Sequence, residues 1–353
     1  MLHPMGRRSG MRTVAVLAAI AAVLVVPTAA AAKNGKVRAQ TLNLYLGSDL
    51  TKAVLAPDIP TLRVEAGNIY ENIVASDPRA RLKIQAKLIK KRRPQIIGLQ
   101  EVETLYRGTL DDPAPADEVV FDFEQILKKQ LKKRNLPYRT VVRVQNTDVE
   151  VPTDLGFDVR LVDHDILLVR KHRGINAGGA QAVNFAAALN VPLAGGALGS
   201  LKVLRGYVEA NVKVHGTKLH VVNTHLEAFL STPRDAQADE LVAPDGPLDS
   251  KQPVLLLGDL NSAPDGTSQG DSKYAYDTII ANGFQDLGGT GLTCCFSPDL
   301  LGGQLTTQID HVLVKPGATL KSAKRTGAVN SPLTSAGQYP SDHTGVVSQM
   351  NFR

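Results

Sequence analysis

Apolar positions along this chain recur at two spacings, and each spacing predicts its own kind of element. From Arg79 to Arg93 (RARLKIQAKLIKKRR), Leu82, Ile84, Ala86, Leu88 and Ile89 fall at roughly helical spacing, and Pro94 ends the run. A second helix is predicted over Phe121 to Arg134, amphipathic and basic on its polar face. A short third one spans Tyr274 to Gly283, with the glycine just past its end. Strand character marks Lys36 to Gly47, Gln95 to Val102, Tyr138 to Asn146, Asp165 to Lys171, Pro253 to Asn261, Gln308 to Lys315 and Gly345 to Phe352. Gly206 to Gly216 and Thr217 to Leu226 alternate and turn like a β-hairpin. The nearly unbroken apolar runs before Gln100 and Asp259 indicate strands buried on both faces. Leu110 to Ala116 reads as a loop, and Gly174 to Ser200, rich in Gly and Ala, as a hairpin or a long surface loop.

The first 32 residues form a separate pattern. Arg7, Arg8 and Arg12 precede an apolar run from Val14 to Val26, and small residues follow from Pro27 to Ala32. The run is shorter than the roughly 20 residues that span a bilayer. An export signal over residues 1–32, cleaved near Ala30 to Ala32, is therefore expected, which makes the protein a secreted one. One catalytic domain is expected over 33–353, since no internal repeat or Pro/Ser linker divides it. This changes the charge argument. The whole chain carries a net +6, but the leader supplies three arginines and no acid, leaving 37 basic against 34 acidic residues. The basic runs Lys87 to Arg93 and Lys128 to Arg134 read as solvated helix faces, with a nucleic-acid patch as the alternative. The composition, 43% hydrophobic and 21% charged, is that of a globular domain with a sizeable core. The only cysteines, Cys294 and Cys295, are adjacent. They form a vicinal disulfide or two thiols in a turn, and no third cysteine completes a thiolate metal site.

The chemically capable residues concentrate in six short segments: TLNLY (Thr41 to Tyr45), IGLQEV (Ile97 to Val102), VNTHLE (Val222 to Glu227), LGDLN (Leu257 to Asn261), QIDH (Gln308 to His311) and YPSDH (Tyr339 to His343). Most end or follow a strand, so their side chains can converge although they are distant in sequence. Taken singly, each has a plain alternative. Glu101 is a hard-metal ligand or a helix N-cap, Asn43 a ligand or a turn residue, and His225 a catalytic or a structural imidazole. Asp259 and Asn261 lie two apart, which on a strand puts them on one side; the alternative is an Asx turn before Pro264. Taken together, Glu101, Asp259, Asp310 and Asp342 outnumber the imidazoles His225 and His343. Oxygen donors in that excess favour Mg²⁺ or Mn²⁺, or Ca²⁺, over zinc. The H-E-x-x-H of zincins and the Walker loop of NTPases are both missing.

In this order the six segments resemble the endonuclease/exonuclease/phosphatase superfamily, which includes deoxyribonucleases, abasic-site endonucleases, sphingomyelinases and inositol polyphosphate 5-phosphatases. The resemblance covers essentially the whole chain after the leader. It implies an α/β fold, a four-layer α/β sandwich with two mixed β-sheets packed face to face and helices outside. It implies that Glu101 holds one or two divalent metals with help from Asn43, and that Asp342 lies in or next to the metal's ligand shell. Asp259 would orient or deprotonate the attacking water, and Asn261 would touch the phosphate. His343, held by Asp310, would bind the scissile phosphate, and His225 would act near the leaving oxygen. Three departures bear on substrate. Ser262-Ala263-Pro264 replaces the aromatic and arginine that follow G-D-x-N in the inositol phosphatases. The chain has no tryptophan, whereas membrane-inserting sphingomyelinases carry Trp-bearing hairpins. Tyr45 stands where some nucleases place Asp or Asn, and Asp49 is a candidate to substitute.

The expected activity is therefore a metal-dependent phosphodiesterase, first a nuclease and second a sphingomyelinase-like lipid phosphodiesterase. A non-catalytic binding module on the same fold stands third. The expected partner is a phosphodiester, nucleic acid or phospholipid headgroup, met by a monomer without stable membrane insertion.

Overall fold

Alternation of side chains along the strands builds the protein in layers. A computed structural model describes residues 35–268, 272–289, 291–315 and 317–352; the expected export signal lies outside them. In chain order the strands and helices are β1 (Gly35–Asn43), α1 (Thr51–Val54), α2 (Ile59–Ala75), α3 (Pro78–Arg92), β2 (Ile96–Gln100), β3 (Thr104–Thr109), β4 (Glu118–Asp122), α4 (Phe123–Lys132), β5 (Tyr138–Pro152) and β6 (Phe157–Arg170). There follow β7 (Ile175–Asn184), β8 (Leu189–Pro192), β9 (Ser200–Val203), β10 (Gly206–Val214), β11 (Thr217–His225), α5 (Ser231–Val242), β12 (Val254–Asp259), α6 (Tyr274–Ala281), β13 (Gln285–Asp286), β14 (Asp310–Lys315), β15 (Ala318–Thr326) and β16 (Gly345–Phe352). One sheet runs β15-β16-β1-β2-β6-β3-β4, with β5 also paired to β6; the other runs β13-β14-β12-β11-β10-β7. Both are mixed: β1 pairs with β2 in parallel across α2 and α3, and β11 with β12 in parallel across α5.

Three apolar interfaces separate four layers. Ile96, Leu167 and Val169 of the first sheet meet Val221, Leu255, Leu257 and Val312 of the second. On the other faces of the same strands, Ile97, Leu99, Ile166 and Leu168 pack against α2, α3 and α4 through Ile73, Leu82, Ile89 and Leu127. Val254, Leu256 and Leu313 pack against α5 and α6 through Leu241, Ala275 and Ile279. This is the four-layer sandwich with helices outside. Residues on a strand alternate between two buried faces, which is why β2 and β12 read as unbroken apolar runs.

Several elements differ from the sequence expectation. Phe121 and Asp122 belong to β4, and Asp122 caps α4 by accepting from Gln125 N. Gly174 to Ser200 contributes β7, an edge strand paired to β10, and the first strand of the β8–β9 hairpin. β5 and β6 are far longer than the segments expected from pattern. Helices α2 and α5 have no counterpart in the pattern reading. The inward face of α5 carries Arg234 and Gln237, both fully buried, and this erases the apolar stripe that would announce it. Among the described residues, no helix is long and apolar enough to cross a membrane.

Candidate active site

Sheet topology decides which residues meet. Asn43, Gln100, His225 and Asp259 are the last residues of β1, β2, β11 and β12, and these strands end on one side of the molecule. β14 runs antiparallel to β12, so its first residue, Asp310, pairs with Asp259. β16 runs antiparallel to β1, so the segment before it brings Asp342 and His343 to the same end. Glu101 follows β2 with a left-handed φ of 50°, a conformation that turns the chain out of the strand. Between the sheets, Gln100 donates to Asn223 Oδ1 at 2.6 Å, and Asn223 donates to the carbonyls of Leu99 and Ile166. Gly98 makes room for this bridge: a Cβ there would lie 2.2 Å from Asn223 Oδ1.

The carboxylates and imidazoles interlock. Asn43 Nδ2 donates to Glu101 Oε1 at 2.9 Å and to Asp259 Oδ2 at 3.1 Å. Leu46 N donates to Glu101 Oε2. Beneath this turn the fully buried Arg81 donates to the carbonyls of Leu44, Tyr45 and Ser76. His343 Nδ1 donates to Asp310 Oδ2 at 2.9 Å and lies 3.7 Å from Asp259 Oδ2. Burial opposes a charge on His343, but Asp310, Asp342 and Asp259 outweigh it and raise its pKa well above the ordinary value. Burial, then the charge of Asp310, raises Asp259 to about 6. Asp342 is raised to about 7, first by burial; Glu101 adds to the rise while His343 opposes it.

His225 differs in kind. Arg205 Nη1 lies 3.0 Å from His225 Nδ1. A guanidinium only donates, so Nδ1 accepts and the proton sits on Nε2, which is 3.6 Å from Asp259 Oδ2. Burial, then Arg205 and His343, holds its pKa well below the ordinary value. The approach to Asp259 is therefore that of a neutral imidazole and not of an ion pair.

All the expected site residues thus meet at one place, with one change of geometry. Asn261 is not on a strand beside Asp259: β12 ends at Asp259, and Asn261 turns away with φ 46°. Its backbone N donates to Asp259 Oδ1 at 3.0 Å in an Asx turn, and its side chain donates to Leu226 O. Asp49 accepts from Thr51 N and Oγ1 in the turn that leads into α1. Cys294 and Cys295 are joined as a disulfide on the wall of the site, with Cys294 Sγ 3.5 Å from His343 Nε2. Pattern reading missed Arg205, flanked by Asp163 at 3.6 Å and Glu227 at 4.0 Å. It also missed the buried acids Glu103, Asp163 and Asp165 behind it. The alternation Asp163-His164-Asp165 directly ahead of the apolar run Ile166 to Val169 was the available signal.

The donor set suits a hard divalent cation. The carboxylates of Glu101 and Asp342 both line the cavity, with Asn43 hydrogen-bonded to Glu101, whereas the tighter cluster of Asp259, Asp310 and His343 is held together by the proton on His343. Asp342 Oδ1 is buried with no hydrogen-bond partner, and an oxygen in that position gains most from a cation.

A model of the Endonuclease/Exonuclease/phosphatase family matches residues 41–343. No curated protein sequence matches the chain. Among solved structures, the endonuclease/exonuclease/phosphatase from Bacteroides vulgatus is similar with a TM-score of 0.53 at 18% identity, over 90% of this chain and 99% of that one. The mannosyl-6-phosphatase Bt3783 of Bacteroides thetaiotaomicron VPI-5482 gives 0.53 at 16%, over 90% and 100%. A humanized D. rerio TDP2 gives 0.51 at 15%, over 90% and 99%. At these identities the structures share the fold. The family match carries more, because it spans Asn43 to His343: the chain belongs to the Endonuclease/Exonuclease/phosphatase family, whose members are in general metal-dependent phosphoesterases.

Proposed function

We propose that the protein is an exported, divalent-metal-dependent phosphodiesterase that hydrolyses its substrate by in-line attack of water. The observation that carries this reading is the meeting of Asp259, a cationic His343 held by Asp310, and a neutral His225 with its proton on Nε2. Asp259, an anion above pH of about 6, accepts a proton from the attacking water. The new bond joins that oxygen to phosphorus, and the ester P–O bond opposite breaks. His343 faces the charge that grows on the non-bridging oxygens. His225 Nε2–H donates to the departing oxygen, with Arg205 fixing the tautomer. Glu101, Asn43 and Asp342 would hold the cation, which supplies Lewis-acid stabilisation of phosphate charge when bound.

Hydrolysis of bis-p-nitrophenyl phosphate with Mg²⁺, Mn²⁺ or EDTA, beside Asp259→Ala, tests this reading. Metal-dependent turnover that the variant loses supports it. Undiminished turnover in EDTA, or in Asp259→Ala, overturns it. DNA, RNA and sphingomyelin then compare the nuclease and lipid branches directly.

A further inference from the structure

The cavity that contains the catalytic side chains extends well beyond them. Glu101, His225, Asp259, Asp342 and His343 open into a cavity of about 480 Å³ that continues along an aliphatic wall. Leu50, Ala66 and Ile69 of the α1–α2 region form one side of it; Leu105 of β3, Val149 of β5 and Leu161 of β6 form the other. Leu50, Ile69, Val149 and Leu161 stay only half-buried where they border it. Pockets of this size ordinarily enclose most of a small ligand, and an aliphatic wall recognises apolar surface.

Charge points the same way. Among the described residues that line the cavity, Arg205 is the one lysine or arginine, against six carboxylates. It is already engaged by His225, Asp163 and Glu227. A nucleic-acid strand is held by a track of cations along its phosphates, and this cavity has none. The basic runs of the sequence stand elsewhere. Lys90 and Arg92 end α3 beside the start of β2, opposite the end that carries Glu101. Lys90 there donates to Arg134 O, and Arg38 to Arg92 O.

We infer that the substrate is an amphiphilic phosphodiester, with its phosphate among Glu101, Asp259 and His343 and an alkyl chain along the aliphatic wall. This inference rests on the phosphodiesterase reading and names its substrate class; the bonds made and broken are those given above. A series of alkyl p-nitrophenyl phosphates (methyl, butyl, octyl and dodecyl, each below its critical micelle concentration) tests it through release of p-nitrophenolate and alkyl phosphate. KM is expected to fall with chain length, by up to roughly fourfold per buried methylene, the factor equivalent to about 0.8 kcal/mol per CH₂. In Val149→Phe, which fills the chamber, the dodecyl-to-methyl ratio of kcat/KM should fall at least tenfold. Leu50→Gln, outside the sheets, is a second variant with the same expected direction. A KM independent of chain length in the wild type overturns the inference, as does a higher kcat/KM on a single-stranded oligonucleotide than on the dodecyl ester. Binding of a fluorescent dodecyl phosphonate to Asp259→Ala separates the two readings. Phosphonate binding by the variant with no turnover of any ester by the wild type sinks the hydrolytic reading and leaves the chamber; wild-type turnover without length dependence or phosphonate binding does the reverse.

Discussion

Asp310→Asn removes one charge from the centre of the site while keeping side-chain size and the oxygen that accepts from His343 Nδ1. In the wild type these groups are 2.9 Å apart and buried. Unit charges about 4 Å apart interact by about 4 kcal/mol at an effective dielectric near 20, the equivalent of about 3 pH units. Measured shifts for such pairs run from about 1 to 3 units. The pKa of His343 should drop by that amount, moving the alkaline limb of the pH–rate profile to lower pH. Asp310 also raises Asp259, second only to burial, so its loss should lower the acid limb as well. The whole profile of kcat for bis-p-nitrophenyl phosphate should therefore slide toward acid. At pH 8 the rate should fall about 10²- to 10³-fold, as when a charge-stabilising group is lost. General damage to the fold would lower the rate at every pH without moving the limbs. A variant within threefold of wild type across pH 6–9, or one whose limbs stay put, would refute the pairing as the source of His343's charge.

Metal binding should show in stability as well as rate. Asp259 and Asp342 titrate near 6 and 7, above the ordinary carboxylate value. Their contribution to stability is therefore full below about pH 4 and is lost as pH rises through those values. A divalent cation at 100 times its Kd should add about 2.7 kcal/mol, or roughly 4 °C in Tm for a domain of this size, and more at pH 8 than at pH 5; equal gains at both in differential scanning fluorimetry would count against this site. Arg205→Ala leaves Asp163 and Glu227 buried without their cation, and urea denaturation should register a loss of about 3–5 kcal/mol. Asn223→Ala breaks the bridge between the sheets and strands the amide of Gln100, at a cost of about 1–3 kcal/mol; an unchanged urea midpoint would show the bridge to be dispensable.

Local pattern made much of this protein legible. β2, β12 and the β10–β11 hairpin follow from runs and alternations of ten residues or fewer, because burial of a strand's faces is written in its own side chains. The chemical identity of the site was equally local: Glu101, His225 and Asp259 end or follow such runs, and Asp310, Asp342 and His343 begin or precede them. Where inward-facing positions are polar, as Arg234 and Gln237 are on α5, the pattern had nothing to report.

The sequence by itself therefore determined the strands that carry the site, β1, β2, β11, β12, β14 and β16, and which side chains are available for chemistry. Tertiary structure alone decided how those groups act. Register between strands remote in sequence sets His225, Asp259 and Asp310 side by side. Arg205, contributed by the turn before β10, chooses the tautomer of His225. Burial among like charges raises Asp259 and Asp342. The aliphatic chamber exists only because α2 stands off β3, β5 and β6 beside the site. These are long-range properties, fixed by pairing, distance and dielectric, and no window along the chain contains them.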